Sequence, residues 1–143
     1  MIVPDINLLL YAVFDSFPDH KIAHIWLTEL LNSDEEVGLP HPVIFGFLRL
    51  ATNRKVFLRP LKLDRAIQYV EAWLGRPNVA TLAPGPRHLD IAFALLRKIG
   101  VAADLTTNTQ LAALCIENQA ELHSNDTDFA RFSGLRWSNP LAG

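Results

Sequence analysis

The sequence predicts an α/β protein in which a parallel central sheet carries helices on both faces. Short apolar segments typical of buried strands alternate along the chain with longer segments of helical periodicity. Strands that are separated by helices form the units from which parallel sheets are built. A chain of 143 residues is long enough for one domain with a real core, so we expect residues 1–143 to form a single domain.

Each element has its own local signal. The first strand, residues 2–4, ends at Asp5, which can cap the apolar helix of residues 6–13. Asp19 can cap a second helix that continues to residue 31. Gly100 closes a later helix, as glycine commonly does. The other predicted strands are 37–39, 79–82, 120–122 and 136–137, and the other predicted helices are 40–50, 64–74, 86–99 and 109–118, with one helical turn at 129–132.

Composition excludes several classes of protein. The formal net charge of -2 excludes a global basic field for nucleic acid, so phosphate contacts would need local basic clusters or a metal ion. The single cysteine excludes an intramolecular disulfide and fits a reducing cytoplasm. Neither a signal peptide nor an apolar run of the roughly 20 residues that span a membrane is evident. We therefore expect a cytoplasmic protein with no membrane partner.

Acidic residues follow two of the predicted strands. Asp5 follows the first strand, and Asp126 and Asp128 follow the strand at 120–122. Ligands bind at the carboxyl edge of α/β sheets, so we expect these three carboxylates to meet there. Because carboxylates repel one another, a divalent cation such as Mg²⁺ or Mn²⁺ would justify their meeting. The alternative, which spacing by itself favours, is that Asp5 and Asp126 are only helix caps.

Other polar residues give weaker signals. Asn108, before the helix of 109–118, can cap that helix or offer a metal one neutral oxygen. His20 and His24 have a spacing that can ligate zinc, but a solvated helix face is the simpler interpretation. A basic group near the middle of the chain would usually be solvated surface, and it could also contact an RNA backbone. Its members are Arg49, Arg54, Lys55 and Arg59.

Several segments of the chain resemble the VapC toxins of the PIN-domain family. They occur in the family's order and span nearly the whole chain. These segments are MIVPDINLLLYA at 1–12, FLRLATN at 47–53, LAAL at 111–114, DTDFARF at 126–132 and GLRWSNPL at 134–141. Each is weak by itself, and together they are specific. The resemblance raises the metal-site interpretation above the capping alternative.

The resemblance implies a PIN-like three-layer α/β/α sandwich and a Mg²⁺-dependent endoribonuclease toxin of a type II toxin–antitoxin system. Such toxins act on structured RNA, usually form homodimers and are neutralised by a cognate VapB antitoxin. Carried over by position, Asp5, Asp126 and Asp128 are metal carboxylates, and Asn7 is a supporting residue near Asp5. The weaker candidates, for contact with RNA, are Arg49, Arg54 and Lys55.

Two positions depart from the family pattern. Many members carry a Glu where this chain has Gly46, and an Asp where it has Asn108. Asn108 is either an engineered change that disarms a nuclease or the natural residue of a weak or inactive homologue that acts only as a binding partner. Whether Asp90 or Asp104 compensates stays open. A phospho-acceptor receiver domain is a distant third alternative, because the acidic pair of its first strand and its late Lys are absent.

Overall fold

The structure, a computed structural model, describes residues 1–142. Five parallel strands form one sheet in the order β3-β2-β1-β4-β5. The strands are β1 (Ile2–Pro4), β2 (Val37–Pro40), β3 (Val79–Leu82), β4 (Glu121–His123) and β5 (Arg136–Ser138). The central parallel sheet predicted from the sequence is therefore confirmed, with all five strands within a residue of their expected limits.

Six α-helices cover the sheet. They are α1 (Ile6–Val13), α2 (His20–Leu31), α3 (His41–Ala51), α4 (Leu63–Leu74), α5 (His88–Ile99) and α6 (Thr106–Glu117). Helix α1 packs against α2 and α3, α3 packs against α4, and α5 packs against α6. The chain adds β2 and β3 on one side of β1 and then returns to add β4 and β5 on the other side. Because crossovers between parallel strands are right-handed, α1 to α4 lie on one face of the sheet and α5 and α6 lie on the other. This arrangement is the predicted three-layer α/β/α sandwich.

The topological switch point of the sheet lies between the neighbouring strands β1 and β4. Pro4 at the end of β1 pairs with His123 at the end of β4. The chain leaves β1 towards α1 and leaves β4 towards a 3-10 helix at Thr127–Arg131. A crevice opens where neighbouring parallel strands send their connections to different sides, and this is the usual ligand position in open α/β sheets. Residues that follow Pro4 and His123 therefore line the crevice.

Close packing fixes the elements around this crevice. Val3 and Leu122 on the two central strands are completely buried, as is Phe47 on α3. Phe129, 1% exposed, anchors the 3-10 helix that follows the crevice. Helices α1 and α3 approach each other at Gly46, where an added Cβ would overlap Cδ1 of Ile6.

A carboxylate joins the two helices on the other face. Glu117, at the end of α6, accepts hydrogen bonds from the backbone N–H groups of Gly85 (2.8 Å) and Arg87 (2.9 Å) just before α5. A Cβ on Gly85 would lie 2.5 Å from the Glu117 carboxylate, so the glycine allows this contact. Glu117 thus satisfies donors at the entrance of α5 from outside that helix.

Some sequence-based boundaries were wrong. Helix α6 begins at Thr106, three residues earlier than expected, directly after a 3-10 helix at Ala103–Leu105. Asn108 is therefore inside the first turn and is not a cap. Asp19 makes no capping hydrogen bond, whereas Gly100 ends α5 at φ +86° as expected. Within residues 1–142, no helix is long and apolar enough to cross a membrane.

Candidate metal centre

Asp5 is held at the mouth of the crevice by three contacts. Its backbone N–H donates to the carbonyl of His123 (2.9 Å), which continues the β1–β4 pairing by one residue. Its Oδ1 accepts from the N–H of Ile6 (2.8 Å), so Asp5 caps α1 as predicted. Its Oδ2 accepts from the hydroxyl of Ser124 (2.7 Å). The carboxylate is therefore fixed in orientation before any ligand binds.

Ser124 is the residue that connects the two acidic segments, and no sequence pattern pointed to it. It is completely buried. Its hydroxyl donates to Asp5 and accepts from the N–H of Asp126 (3.0 Å). Its own N–H donates to the carbonyl of Ser138, and its carbonyl accepts from Trp137 Nε1. Every polar group of Ser124 is paired, which fixes Asp126 relative to Asp5.

Asp126 faces Asn108 across the crevice. Asp126 Oδ2 accepts from Asn108 Nδ2 (3.2 Å), and Oδ1 accepts from the N–H of Asp128 (2.9 Å). Asp126 is therefore also a cap, of the 3-10 helix that follows it. Capping therefore does not exclude a metal site, because the two capping carboxylates also lie together in the crevice. The structure brings together Asp5, Asn108 and Asp126, while the side chain of Asp128 is exposed on the turn.

The ionised carboxylates of Asp5 and Asp126 repel each other. Burial raises the pKa of Asp5 above its usual value, and the negative charge of Asp126 raises it further, against the lowering effect of hydrogen bonds from Ser124 and Ile6. Among residues 1–142 the recorded ion pair is His123–Glu121, so neither Asp5 nor Asp126 has a lysine or arginine partner there. Two neighbouring carboxylates without a counter-charge attract a cation.

A small cavity of about 80 Å³ opens between the two helix layers at this point. It is lined by Asp5, Ile6, Pro42, Val43, Thr107, Asn108 and Leu111. Asp5 contributes a carboxylate and Asn108 an amide to the lining, and most of the other lining residues are apolar. A cavity of this volume admits an ion with a few waters, and a nucleotide would have to lie across its mouth.

A chain of amides supports the acidic turn from α1. Asn7 Nδ2 donates to Asn125 Oδ1, and Asn125 Nδ2 donates to the hydroxyl of Tyr11 (2.9 Å). Asn125 stands between Ser124 and Asp126, so this chain ties the turn to the helix that Asp5 caps. The Asn7 Oδ1 atom is buried and has no hydrogen-bond partner within residues 1–142. Asn7, expected as a supporting residue near Asp5, thus makes its side-chain hydrogen bond to Asn125 on the acidic turn.

These groups fit a hard divalent cation. Carboxylate and amide oxygens are the donors that Mg²⁺ and Mn²⁺ prefer, and Mg²⁺ is commonly bound by one or two carboxylates with waters and substrate phosphate. The unpartnered Asn7 Oδ1 adds an unsatisfied acceptor near the crevice. In the described part of the chain, no three acidic, histidine or cysteine side chains gather at metal-binding distance. The expected convergence is thus limited to two carboxylates, Asp5 and Asp126, with Asn108.

The other candidate residues are not among those that line the cavity. Gly46 is buried against Ile6, so a longer side chain there would have to displace Ile6. Asp90 is exposed in the first turn of α5 and Asp104 is exposed in the 3-10 helix before α6. Arg49 is exposed on α3, whereas Arg54 and Lys55 follow the end of α3 that is remote from Pro42.

The fold is thus that of an α/β protein with a parallel sheet and two neighbouring carboxylates, Asp5 and Asp126, at its switch point. A model of the PIN domain matches residues 2–135. "Ribonuclease VapC33" from Mycobacterium tuberculosis is 56% identical over 141 residues, covering 99% of each protein. "Ribonuclease VapC37" from the same organism is 39% identical over 142 residues, again covering 99% of each. The chain belongs to the PIN-domain family, and within it to the VapC group.

Solved structures agree with this assignment at the level of the fold. VapBC2 from Rickettsia felis, bound to a DNA fragment from its promoter, has a TM-score of 0.70 at 17% identity, covering 97% of this chain and 98% of that chain. VapBC-1 from nontypeable Haemophilus influenzae has a TM-score of 0.70 at 17% identity, covering 98% of each chain. At this identity the likeness shows the PIN fold.

Proposed function

We propose that this protein is a Mg²⁺- or Mn²⁺-dependent endoribonuclease toxin that hydrolyses phosphodiester bonds of structured RNA. The observation that carries the proposal is the half-buried pair of Asp5 and Asp126, which lacks a counter-charge at the switch point of the sheet. The names of its VapC relatives, which are ribonucleases, support the reaction class. An RNA substrate makes the cytoplasm the place of action.

Asp5, Asp126 and the amide oxygen of Asn108 would hold the cation, with Asp128 as a further carboxylate at the rim. A bound Mg²⁺ would supply positive charge to the phosphate and would lower the pKa of water. Ser124 keeps Asp5 Oδ2 in place, and the N–H of Asp128 keeps Asp126 Oδ1 in place. This preorganisation means that the carboxylates need not reorient as charge develops during in-line attack of water on phosphorus.

Asn108 is expected to weaken the reaction. Its Nδ2 donates to Asp126 Oδ2 and so occupies an oxygen that a cation needs. Replacement of an anionic ligand by an amide also removes one negative charge. We expect this to reduce transition-state stabilisation by about 3 kcal/mol, the scale of one preorganised electrostatic group. The chain would then be a disarmed or naturally weak form of an active Asn108→Asp protein.

The second candidate function is binding without turnover. It is favoured by the Asn108–Asp126 hydrogen bond and by Ile6, which fills the space beside Gly46. In this case the chain would keep the PIN fold and bind a VapB-type antitoxin but would not cleave RNA. Both functions include the antitoxin and a homodimer as expected partners, and in both Arg49, Arg54 and Lys55 are the candidate RNA contacts.

Calorimetry with Mn²⁺ and an RNA cleavage assay, on this chain and on Asn108→Asp, test the proposal. We expect Asn108→Asp to bind Mn²⁺ at least ten-fold more tightly and to cleave RNA faster. Gln110→Glu, which adds the same charge at an exposed position of α6, is the control and should change neither. Equally weak Mn²⁺ binding and no cleavage in both forms would replace the nuclease by the binding function.

A further inference from the structure

Helix α2 presents two histidines, His20 and His24, about one helical turn apart. His20 is half-buried at the start of the helix, and His24 is exposed. Their ring centroids lie 5.8 Å apart, and the ring planes are inclined to each other by 33°. Neither histidine lines the cavity of the candidate metal centre, so the proposed nuclease reaction makes no use of them.

A backbone carbonyl fixes the ring of His20. Its Nδ1 atom lies 2.8 Å from the carbonyl oxygen of Tyr11, in the last turn of α1. A carbonyl oxygen can only accept a hydrogen bond, so Nδ1 carries the proton and donates. The neutral imidazole has a single N–H group, and Nε2 of His20 therefore keeps a free lone pair. Histidines that bind a metal usually donate their other ring N–H in this way, because the bond fixes the tautomer and the ring orientation.

The bond from His20 to Tyr11 also has a simpler explanation. Carbonyl groups in the last turn of a helix lack a partner within that helix, and a histidine can satisfy one of them. This explanation accounts for Nδ1 of His20 alone. It gives no role to the exposed ring of His24, which lies beside His20 and contributes nothing to the bond with Tyr11. A role in metal binding requires both histidines, so the two explanations can be separated by experiment.

The geometry of the pair is close to that of a chelate. Side chains four residues apart are neighbours on a helix surface. Zinc–nitrogen bonds of about 2.1 Å place the centroids of two imidazole rings about 5 Å apart around a tetrahedral ion. The separation of 5.8 Å in the structure is slightly larger, and a small rotation of the exposed His24 side chain closes the gap. Imidazole nitrogen suits Zn²⁺, Cu²⁺ and Ni²⁺, whereas the oxygen ligands at Asp5 and Asp126 suit Mg²⁺ or Mn²⁺.

We propose that His20 and His24 chelate one Zn²⁺ ion, or another imidazole-binding divalent cation such as Cu²⁺ or Ni²⁺. The ligands are Nε2 of His20 and a ring nitrogen of His24. Within residues 1–142 no third histidine, cysteine or acidic side chain joins them, so water fills the remaining positions. The inference goes beyond the proposed ribonuclease function and does not depend on it.

A metal ion at this position would also strengthen the contact between α1 and α2. Both ligands belong to α2, and the ring of His20 donates to the carbonyl of Tyr11 on α1. Hydrogen bonds polarise one another along a chain, so a cation on Nε2 makes the Nδ1–H group of the same ring a stronger donor. An ion that binds only the folded protein raises its stability by mass action. The melting temperature should therefore rise by a few degrees in saturating Zn²⁺.

Calorimetry with Zn²⁺ tests the inference, with excess Mg²⁺ present to occupy the acidic crevice. We expect one Zn²⁺ ion per chain. His24→Gln should weaken Zn²⁺ binding at least about ten-fold, because the second ligand of a chelate acts at a high effective concentration. It should also abolish the rise in melting temperature. His41→Gln, which removes a lone exposed histidine from α3, is the control and should change neither. The electron paramagnetic resonance spectrum of bound Cu²⁺ should show two coordinated nitrogens in the parent and one in His24→Gln.

A second variant keeps both histidines but changes their spacing. In the double variant His24→Gln with Ile25→His, the two rings are five residues apart and point about 140° away from each other around the helix. Ile25 is exposed, so folding should be retained. This protein should bind Zn²⁺ no better than His24→Gln. His20→Gln is less informative, because it also removes the hydrogen bond to Tyr11 and lowers stability.

Three results overturn the inference. The first is equal Zn²⁺ affinity of the parent and His24→Gln. The second is full affinity in the double variant, which would show that any two surface histidines suffice. The third is a single coordinated nitrogen in the Cu²⁺ spectrum of the parent, which would leave His20 only as the partner of the Tyr11 carbonyl. None of these results affects the nuclease proposal, which is tested with Mn²⁺, RNA and Asn108→Asp.

Discussion

The hydroxyl of Ser124 donates a 2.7 Å hydrogen bond to Oδ2 of Asp5, a residue 119 positions earlier in the chain. The hydroxyl oxygen of Ser124 also accepts a hydrogen bond from the N–H of Asp126. One buried hydroxyl thus links the carboxylate of Asp5 to the backbone of Asp126. The pairing of Pro4 with His123 makes this possible, because it places the next residue of each strand side by side.

Ser124→Ala should destabilise the protein and loosen the site. The substitution leaves the N–H of Asp126 without its acceptor in a buried setting, which costs about 1–3 kcal/mol. Chemical denaturation measures this loss, and Mn²⁺ affinity should fall in parallel. Ser133→Ala is the control, because Ser133 is exposed and accepts only from Lys98. Its effect should stay within about 0.5 kcal/mol.

Gly46→Ala should destabilise the chain, although alanine is the better helix former by about 1 kcal/mol. The new Cβ overlaps Cδ1 of Ile6, and overpacking costs about 1–3 kcal/mol. Ile6→Val removes that atom. In the Ile6→Val background, where the Cγ1 atom 3.1 Å from the new Cβ remains, Gly46→Ala should therefore destabilise less than in the parent. Thermal unfolding of the parent, the two single variants and the double variant gives the coupling energy. Additive effects of the two substitutions would contradict the proposed contact.

Glu117→Gln should lower stability at neutral pH and have little effect in acid. The backbone N–H of Gly85, followed by that of Arg87, holds the pKa of Glu117 below its usual value of 4.5. A carboxylate with a lowered pKa stabilises the folded state above pH 4.5, and this contribution disappears as the pH falls through the lowered pKa. Melting temperatures should converge between the two proteins below that value.

The matched control for this prediction is Glu29→Gln on the exposed side of α2. It removes the same charge without a backbone contact. A melting-temperature difference between Glu117→Gln and the parent that does not depend on pH would contradict the role given to the carboxylate.

The thiol of Cys115 should be unreactive in the folded protein. Burial, and to a smaller extent the charge of Asp5, raises the pKa of Cys115 to about 12. The thiol is also completely buried, and only the thiolate reacts readily. Ellman's reagent at pH 8 should therefore modify it at a rate set by opening of the fold. Rapid modification under native conditions would show that α6 opens easily, and denaturant supplies the fully reactive reference.

The strands and helices were predictable because apolar runs, capping residues and glycines mark them locally. The start of α6 was not, because Thr106 and Asn108 resemble residues of a loop and Ala103 adopts φ +38°, which no local rule favours for alanine. Ser124 could not be selected from sequence for a different reason. A serine in a polar turn is ordinary, and only the register between β1 and β4 places it opposite Asp5.

The acidic residues of the candidate metal centre were selected by residue type and by their place after a strand, but their relative positions depend on the turn. Asp126 points into the crevice because its backbone is held by Ser124, and Asp128 points outward because the 3-10 helix begins between them. The directions in which side chains point within so short a turn are set by hydrogen bonds that the composition does not reveal. The hydrogen bond from Asn125 to Tyr11 could not be predicted from composition either.

The position of β1 at the centre of the sheet also has a consequence for synthesis. Asp5 leaves the ribosome early, whereas β4 and Asp126, which complete the pair, emerge only with the last fifth of the 143 residues. Contacts between such distant segments form late, after most of the chain is available. A nascent chain that stalls before Ser124 would carry the first carboxylate without its neighbours. The candidate metal centre therefore cannot be complete until nearly the whole chain has been synthesised.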